Sequence, residues 1–203
     1  MSTDFVRAAL PADAAAMVQA AVAAWPALGD DVDSAALVEQ WRQLLQDPGP
    51  TRALVATSAE EVVGWVLVTP ASDPDLAGIA AWEVADVVVH PSARRRGHGS
   101  RLMHAAADVA PTGASVLTTW CPVADEPRRA FFAAHGLGPD GAWRDLAADT
   151  GETMREVRLI AALGESADAG DDPGRSDVTP TGTASTSAAS PDGRTEAETT
   201  KPQ

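Results

Sequence analysis

Apolar positions along residues 1–163 keep switching between two periods. FVRAAL (5–10), TRALVATS (51–58), VVGWVLVT (62–69), ASVLTTW (114–120) and TMREVRLIAAL (153–163) read as strands, as does the shorter AWRDLA (142–147). Between them the spacing becomes helical. Pro11 opens an alanine-rich helix with Met17, Val18, Ala21, Val22 and Trp25 in phase, and Pro26 stops it. A second helix from about Ser34 to Gln46 carries Leu37, Val38, Trp41, Leu44 and Leu45 on one face, and DPGP (47–50) ends it. Leu102, Met103, Ala106, Val109 and Ala110 mark a third helix starting near Ser100. EPRRAFFAAHG (126–136) marks a fourth, with Pro127 in its first turn and Gly136 at its C-terminal cap.

The short AEE connection makes 51–69 a hairpin, and its meander continues into GIAAWEVADVVVHP (78–91). The order is then β-α-α-β-β-β-α-β-α-β-β, with antiparallel strands first and a β-α-β crossover in the middle. That predicts an α+β fold with a mixed sheet rather than a doubly wound parallel one. From Gly164 on, the chain holds no Leu, Ile, Phe, Met or Trp, and Val178 is its only large aliphatic residue. Such a segment buries too little surface to offset its ordering entropy, so 164–203 is expected to be a disordered acidic tail behind a domain at 1–163.

Charge narrows the partners. The chain carries 29 acidic against 15 basic residues, a formal net charge of −14. That argues against general binding to nucleic acid or to an anionic membrane. No window has the length of uncharged apolar residues that a spanning helix needs, and MSTDFVRAALPADAAAM lacks a signal-peptide pattern. The single cysteine, Cys121, cannot form an internal disulfide or a CxxC metal site, which fits a cytoplasmic protein without a metal.

Against this acidic background HPSARRRGHGSRLM (90–103) gathers three arginines beside two glycines. It stands between a buried strand and a helix N-terminus. First-turn amides there are unpaired and the helix dipole favours negative charge. Gly97 and Gly99 permit close backbone approach and positive φ, while Arg94, Arg95 and Arg96 add forked donors. A Walker A site is excluded because the only lysine is Lys201. A Rossmann fingerprint fails because Leu102 stands where its third glycine is required.

Arg94-x-x-Gly97-x-Gly99, preceded by VVVHP, resembles the central motif of the GNAT superfamily of N-acetyltransferases. The resemblance extends to the element order of about residues 3–163. It implies a mixed, mostly antiparallel sheet of about six or seven strands with about four helices, and acetyl-CoA as co-substrate. It also implies that Val87, Val88 and Val89 present backbone groups to the pantetheine arm and thioester. The amides of Arg95, Arg96, Gly97, His98, Gly99 and Ser100 would hold the pyrophosphate, with the His98 side chain a bystander. Where the family's later segment has Asn, then Tyr, then Phe after Gly, this chain has Asp125, Phe132 and Leu137, a recognisable but degraded form of the pattern. Its tyrosine, credited in many members with protonating the leaving thiolate, has no counterpart, since the chain contains no tyrosine. Water or Cys121 could supply that proton, although a small core residue is the commoner role for a free cysteine.

The implied reaction is direct attack of a primary amine on the acetyl carbonyl in a ternary complex. It needs a base, an oxyanion donor and alignment of both substrates. A strand amide near Val88 or Val89 would serve as the oxyanion donor. Glu83 and Asp86 are the candidate bases. Their opposite parity puts them on opposite sheet faces unless a bulge resets the strand, and Glu83 is preferred by resemblance. Asp30, Asp31 and Asp33 could draw a cationic acceptor toward the loop between the first two helices, or could simply solvate it and cap the second helix. A non-catalytic acyl-CoA-binding or regulatory protein on the same fold is the alternative reading. An interaction protein without a CoA site would need Arg94–Gly99 to be only a surface turn. Family members are often dimers, so a homodimer is also an expectation.

Overall fold

The elements expected from the alternation form, with some ends shifted. In the computed structural model, which describes residues 4–25, 33–147 and 153–164, the first strands are β1 (Phe5–Ala8), β2 (Arg52–Ser58), β3 (Glu61–Pro70) and β4 (Ala81–Val89). The later strands are β5 (Val116–Pro122), β6 (Gly138–Ala147) and β7 (Thr153–Ala162). The helices are α1 (Ala14–Ala24), α2 (Ser34–Gln46), α3 (His98–Asp108) and α4 (Glu126–Ala133). One sheet forms in the order β1-β2-β3-β4-β5-β7-β6. Every neighbouring pair is antiparallel except β4 and β5. This is the mixed, mostly antiparallel sheet with four helices. The expected tail, from residue 165 on, lies outside the described residues, as do Asp30 and Asp31.

Three boundaries differ from the sequence expectation. Pro11 opens a 3-10 turn, Pro11–Asp13, and α1 follows it. Helix α3 starts at His98 rather than near Ser100, because Gly97 turns the chain at φ +82° directly before it. Strand β6 begins at Gly138, ahead of AWRDLA. A register shift between Pro139 and Trp143 interrupts its pairing with β7 and hides the alternation.

The two faces of the sheet are covered unequally. On one, Leu54, Val66, Val68, Val84, Leu117 and Leu159 pack with Leu102, Met103 and Ala106 of α3 and with Phe132 of α4. On the other, Val55, Trp65 and Val88 pack against Met17, Ala20 and Ala21 of α1, with Trp41 and Leu45 of α2 beside them. The buried Trp65 indole finds its acceptor in the Met17 carbonyl at 2.9 Å. These helix contacts on the second face involve β2, β3 and β4. Further across the same face stand the polar side chains of Glu83, Glu156 and Arg158.

Strand β1 is tied to the start of α1 by one carboxylate. Asp13 accepts from Arg7 Nη1 at 2.6 Å and Nη2 at 2.8 Å, and from the Leu10 amide at 2.7 Å. The Arg7 hydrogen bonds, with the Leu10 amide, hold its carboxyl below the usual range against the cost of burial. A depressed folded value contributes stability above the unfolded pKa that is lost as pH falls through the folded one. Asp13→Ala should therefore lower stability by about 2 kcal/mol near neutral pH. In chemical denaturation this deficit should shrink as the buffer is taken below the carboxylate range.

Candidate functional site

The strands that flank the site run parallel for only three residue pairs, Ala81–Val116, Trp82–Leu117 and Glu83–Thr118. Beyond them β4 and β5 separate. At the point of separation the buried Thr119 hydroxyl donates to the Val84 carbonyl at 2.8 Å. Strand β4 keeps its partner on the other side, Val87 with Val66, Val88 with Trp65 and Val89 with Gly64. The His90 amide donates to the Val63 carbonyl. Alternation along an antiparallel ladder then points the Val88 amide at β3 and those of Val87 and Val89 into the split. Of the two strand amides expected as oxyanion donors, Val88 is used by the ladder and Val89 faces the opening.

A register shift between Leu67 and Val68 leaves Ala85 as an extra residue in β4, so Asp86 pairs with Leu67 and Glu83 with Thr69. The bulge resets the parity, and both acids face the side of the sheet that α1 and α2 partly cover. They differ in freedom. Asp86 accepts from Arg128 Nη2 of α4 at 2.7 Å and from the Val87 amide at 2.8 Å. Burial pushes its carboxyl up, with Arg128 opposing. As a candidate base Asp86 is already engaged across the split. Glu83 makes no ion pair among the described residues. Burial pushes its carboxyl up too; Arg144 works against this, while Asp73 and Glu156 add to it.

At the far end of β4 the chain makes its arginine loop. Arg94 Nε donates to the Val89 carbonyl at 3.2 Å, bracing the loop on the strand. Arg95 adopts φ +63° and Gly97 φ +82°. Asp33 caps α2 and Asp125 caps α4, whereas α3 has no side-chain cap. The first-turn amides of His98, Gly99 and Ser100 have no intrahelical acceptor. An anion held here would meet these amides, and Arg94, Arg95 and Arg96, all exposed, supply charge around it.

Other sequence candidates take structural positions. The His98 side chain is buried, with Nδ1 at 3.1 Å from Arg101 Nη2. Burial and the nearby Arg101 lower its pKa, with Asp4 opposing; with the ring buried, it is the His98 amide that is left to the loop. Gly99 is helical, and a β-carbon there would lie 3.1 Å from the Phe131 ring of α4. Its role is close helix packing rather than the positive φ expected. Asp125 accepts from the Arg128 amide at 3.0 Å, and Phe132 is fully buried in the core. Cys121 is buried too. Burial pushes its thiol up, so proton transfer from it to an ordinary thiolate runs uphill. Asp33 caps α2 through the Ala35 and Ala36 amides.

The second opening was not visible in the sequence. A cleft of about 310 Å³ is lined by Ser72, Asp73, Asp75, Glu83, Trp120, Trp143 and Arg144. Its wall is fixed by Arg158, 7% exposed, which donates to Asp73 at 2.6 Å and Asp140 at 2.8 Å. The pair thus clamps the β3–β4 loop against the β6–β7 hairpin. Arg144 lies 4.3 Å from the Trp120 ring centroid and pairs with Glu156 at 2.7 Å. The arrangement can take a cationic group beside a half-buried carboxylate. Arg158→Gln should raise the KM for any ligand of this cleft about tenfold while leaving binding at the α3 loop within about twofold. Gly99→Leu should do the reverse, weakening binding at the loop about tenfold or more by pushing Phe131 and α4 away from α3. Parallel steady-state and calorimetric titrations separate the two.

A family model described as Acetyltransferase (GNAT) family matches residues 14–137. Mycothiol acetyltransferase of Mycobacterium avium (strain 104) is 45% identical over 82 residues, 40% of this chain and 23% of that protein. The chain thus spans about a quarter of that relative's length. Among solved structures, yncA of Salmonella typhimurium, determined with its cofactor acetyl-CoA, superposes with a TM-score of 0.63 at 20% identity, covering 84% of this chain and 99% of that one. An N-acetyltransferase from Thermoplasma acidophilum in complex with coenzyme A gives a TM-score of 0.56 at 11% identity, covering 79% and 99%.

Proposed function

The chain belongs to the acetyltransferase (GNAT) family, and from that premise we propose that it transfers an acetyl group from acetyl-CoA to a primary amine by direct attack in a ternary complex. The observation that carries the donor side is the uncapped N-terminus of α3, standing at the open end of a strand that has parted from its neighbour. Its amides and the three exposed arginines fit a pyrophosphate. The Val89 amide fits a group laid along the split, while the Val87 amide is held by Asp86. Acetyl-CoA supplies an activated acyl group with a thiolate leaving group; the chain's own residues bind, align and move protons.

On the acceptor side, Glu83 receives the amine's proton. A carboxyl pushed up by burial is a stronger base than an exposed one, which suits a task carried out near neutral pH. Asp73 and Asp75 lie in the same cleft and favour an acceptor that arrives as a cation. The mycobacterial relatives are named for mycothiol, and they match under half of this chain. The acceptor is therefore argued from the cleft alone, as a small amine that fits about 310 Å³ beside two indoles.

Calorimetry with acetyl-CoA, CoA and ATP, followed by thiol release over an amine panel, tests the reading. Micromolar binding of the two CoA species and turnover of at least one amine is the expected result. Binding without turnover would support the acyl-CoA-binding alternative, and no CoA binding would overturn both. Glu83→Gln should lower turnover chiefly on the acid side of the pH profile. An unchanged profile would remove Glu83 from the role of base.

A further inference from the structure

Beyond the Thr119 contact, a side chain from α4 reaches across the split to β4. Arg128 lies in the first turn of α4, directly after β5, and reaches Asp86 on β4 at 2.7 Å. Its guanidinium carbon is 5.7 Å from the Phe132 ring centroid. Its Nε, like that of Arg129, is buried and has no hydrogen-bond acceptor among the described residues. A buried donor left unpaired is costly, and such groups concentrate where a ligand completes them. Asp86 meanwhile occupies the Val87 amide, one of the strand groups that face the split.

The split offers few other groups to a developing negative charge. The chain has no tyrosine. The Thr119 hydroxyl is spent on the Val84 carbonyl. Cys121 is wholly buried among the core residues. The charged and titratable groups close by, among the described residues, are Asp86 on β4, Cys121 on β5, Asp125 and Arg129 on α4, and Glu156 on β7. Of the two arginines, Arg128 is the one held toward β4.

We propose that Arg128 is a catalytic residue that stabilises the departing CoA thiolate, with Asp86 as the positioning residue that aims it. The inference rests on the donor reading above. The amine nitrogen bonds to the carbonyl carbon, the carbon–sulfur bond breaks, and its electron pair stays on sulfur. The amine's proton goes to Glu83 or to water. A guanidinium does not release its own proton, so it acts by charge and by its spare N–H, and the thiolate is protonated later from solvent. This accounts for a chain of this family working without a phenol at that step.

The test reads ligand ionisation rather than turnover. The affinity of CoA is measured against that of desulfo-CoA, which lacks the sulfur, by calorimetry between about pH 6.5 and pH 9. In the native protein the preference for CoA should grow about tenfold over this range, as the thiolate form is bound selectively. Arg128→Gln should abolish that growth and Arg128→Lys should keep most of it. The double variant Arg128→Gln/Asp86→Asn, which strands no carboxylate, should behave like Arg128→Gln. Desulfo-CoA affinity should stay within about threefold in all of them, which shows an intact loop and fold. A preference that stays flat with pH in the native protein, or that survives in the Gln variants, would overturn the proposal while leaving the donor reading standing. Failure of both ligands to bind the native protein would overturn the donor reading, and this inference with it.

Discussion

A single buried hydrogen bond sets where the sheet opens. Thr119 donates to the Val84 carbonyl at the last point where β4 and β5 are close. The sheet is paired on both sides of that point. Behind it lie three parallel residue pairs, and ahead of it the strands part while each keeps its outer antiparallel neighbour. An open strand edge inside a sheet is costly unless something else meets its amides. Here part of that demand is met by side chains, Asp86 on the Val87 amide and Arg94 on the Val89 carbonyl. The remainder points at the space a ligand would fill.

The extra residue at Ala85 follows from the same geometry. It lies next to Val84, whose carbonyl is drawn toward Thr119, and it shifts the rest of β4 by one position against β3. One inserted residue thereby puts Glu83 and Asp86 on a common face, where a regular strand would have separated them. The two acids then diverge through their partners. Asp86 is drawn to an arginine from the helix beyond the split. Glu83, near Asp73 and Glu156, has only Arg144 as a nearby opposing charge among the described residues. Position along the strand made them candidates; the bulge and the partners distinguish them.

Much of this was legible locally. Periodicity located the strands and helices, and the spacing of Arg94, Gly97 and Gly99 located the loop, because these depend on neighbours within one or two turns. What escaped depends on contacts made across the chain. The clamp of Arg158 on Asp73 and Asp140 joins residues from three separate segments. The reach of Arg128 to Asp86 joins residues 42 apart. Gly99 was read as a residue needed for backbone freedom, yet what excludes a side chain there is Phe131 from another helix. Strand parity could be counted in the sequence, but a bulge is decided by the partner strand.

The same distinction explains the charge pattern. Among the described residues, Arg7, Arg42, Arg101, Arg128, Arg144, Arg155 and Arg158 all stand in ion pairs with carboxylates. In a chain with 29 acidic residues that is the expected fate of an arginine. Arg52 and Arg129 lack one too, but Arg94, Arg95 and Arg96 stand side by side, exposed and without such a partner among the described residues. Three like charges in sequence repel one another and gain nothing from standing together unless an anion relieves them. The helix end beside them lacks an N-terminal side-chain cap, unlike those of α2 and α4. Unpaired cations and uncapped amides at one point are two independent deficits of negative charge, and one bound phosphate group answers both.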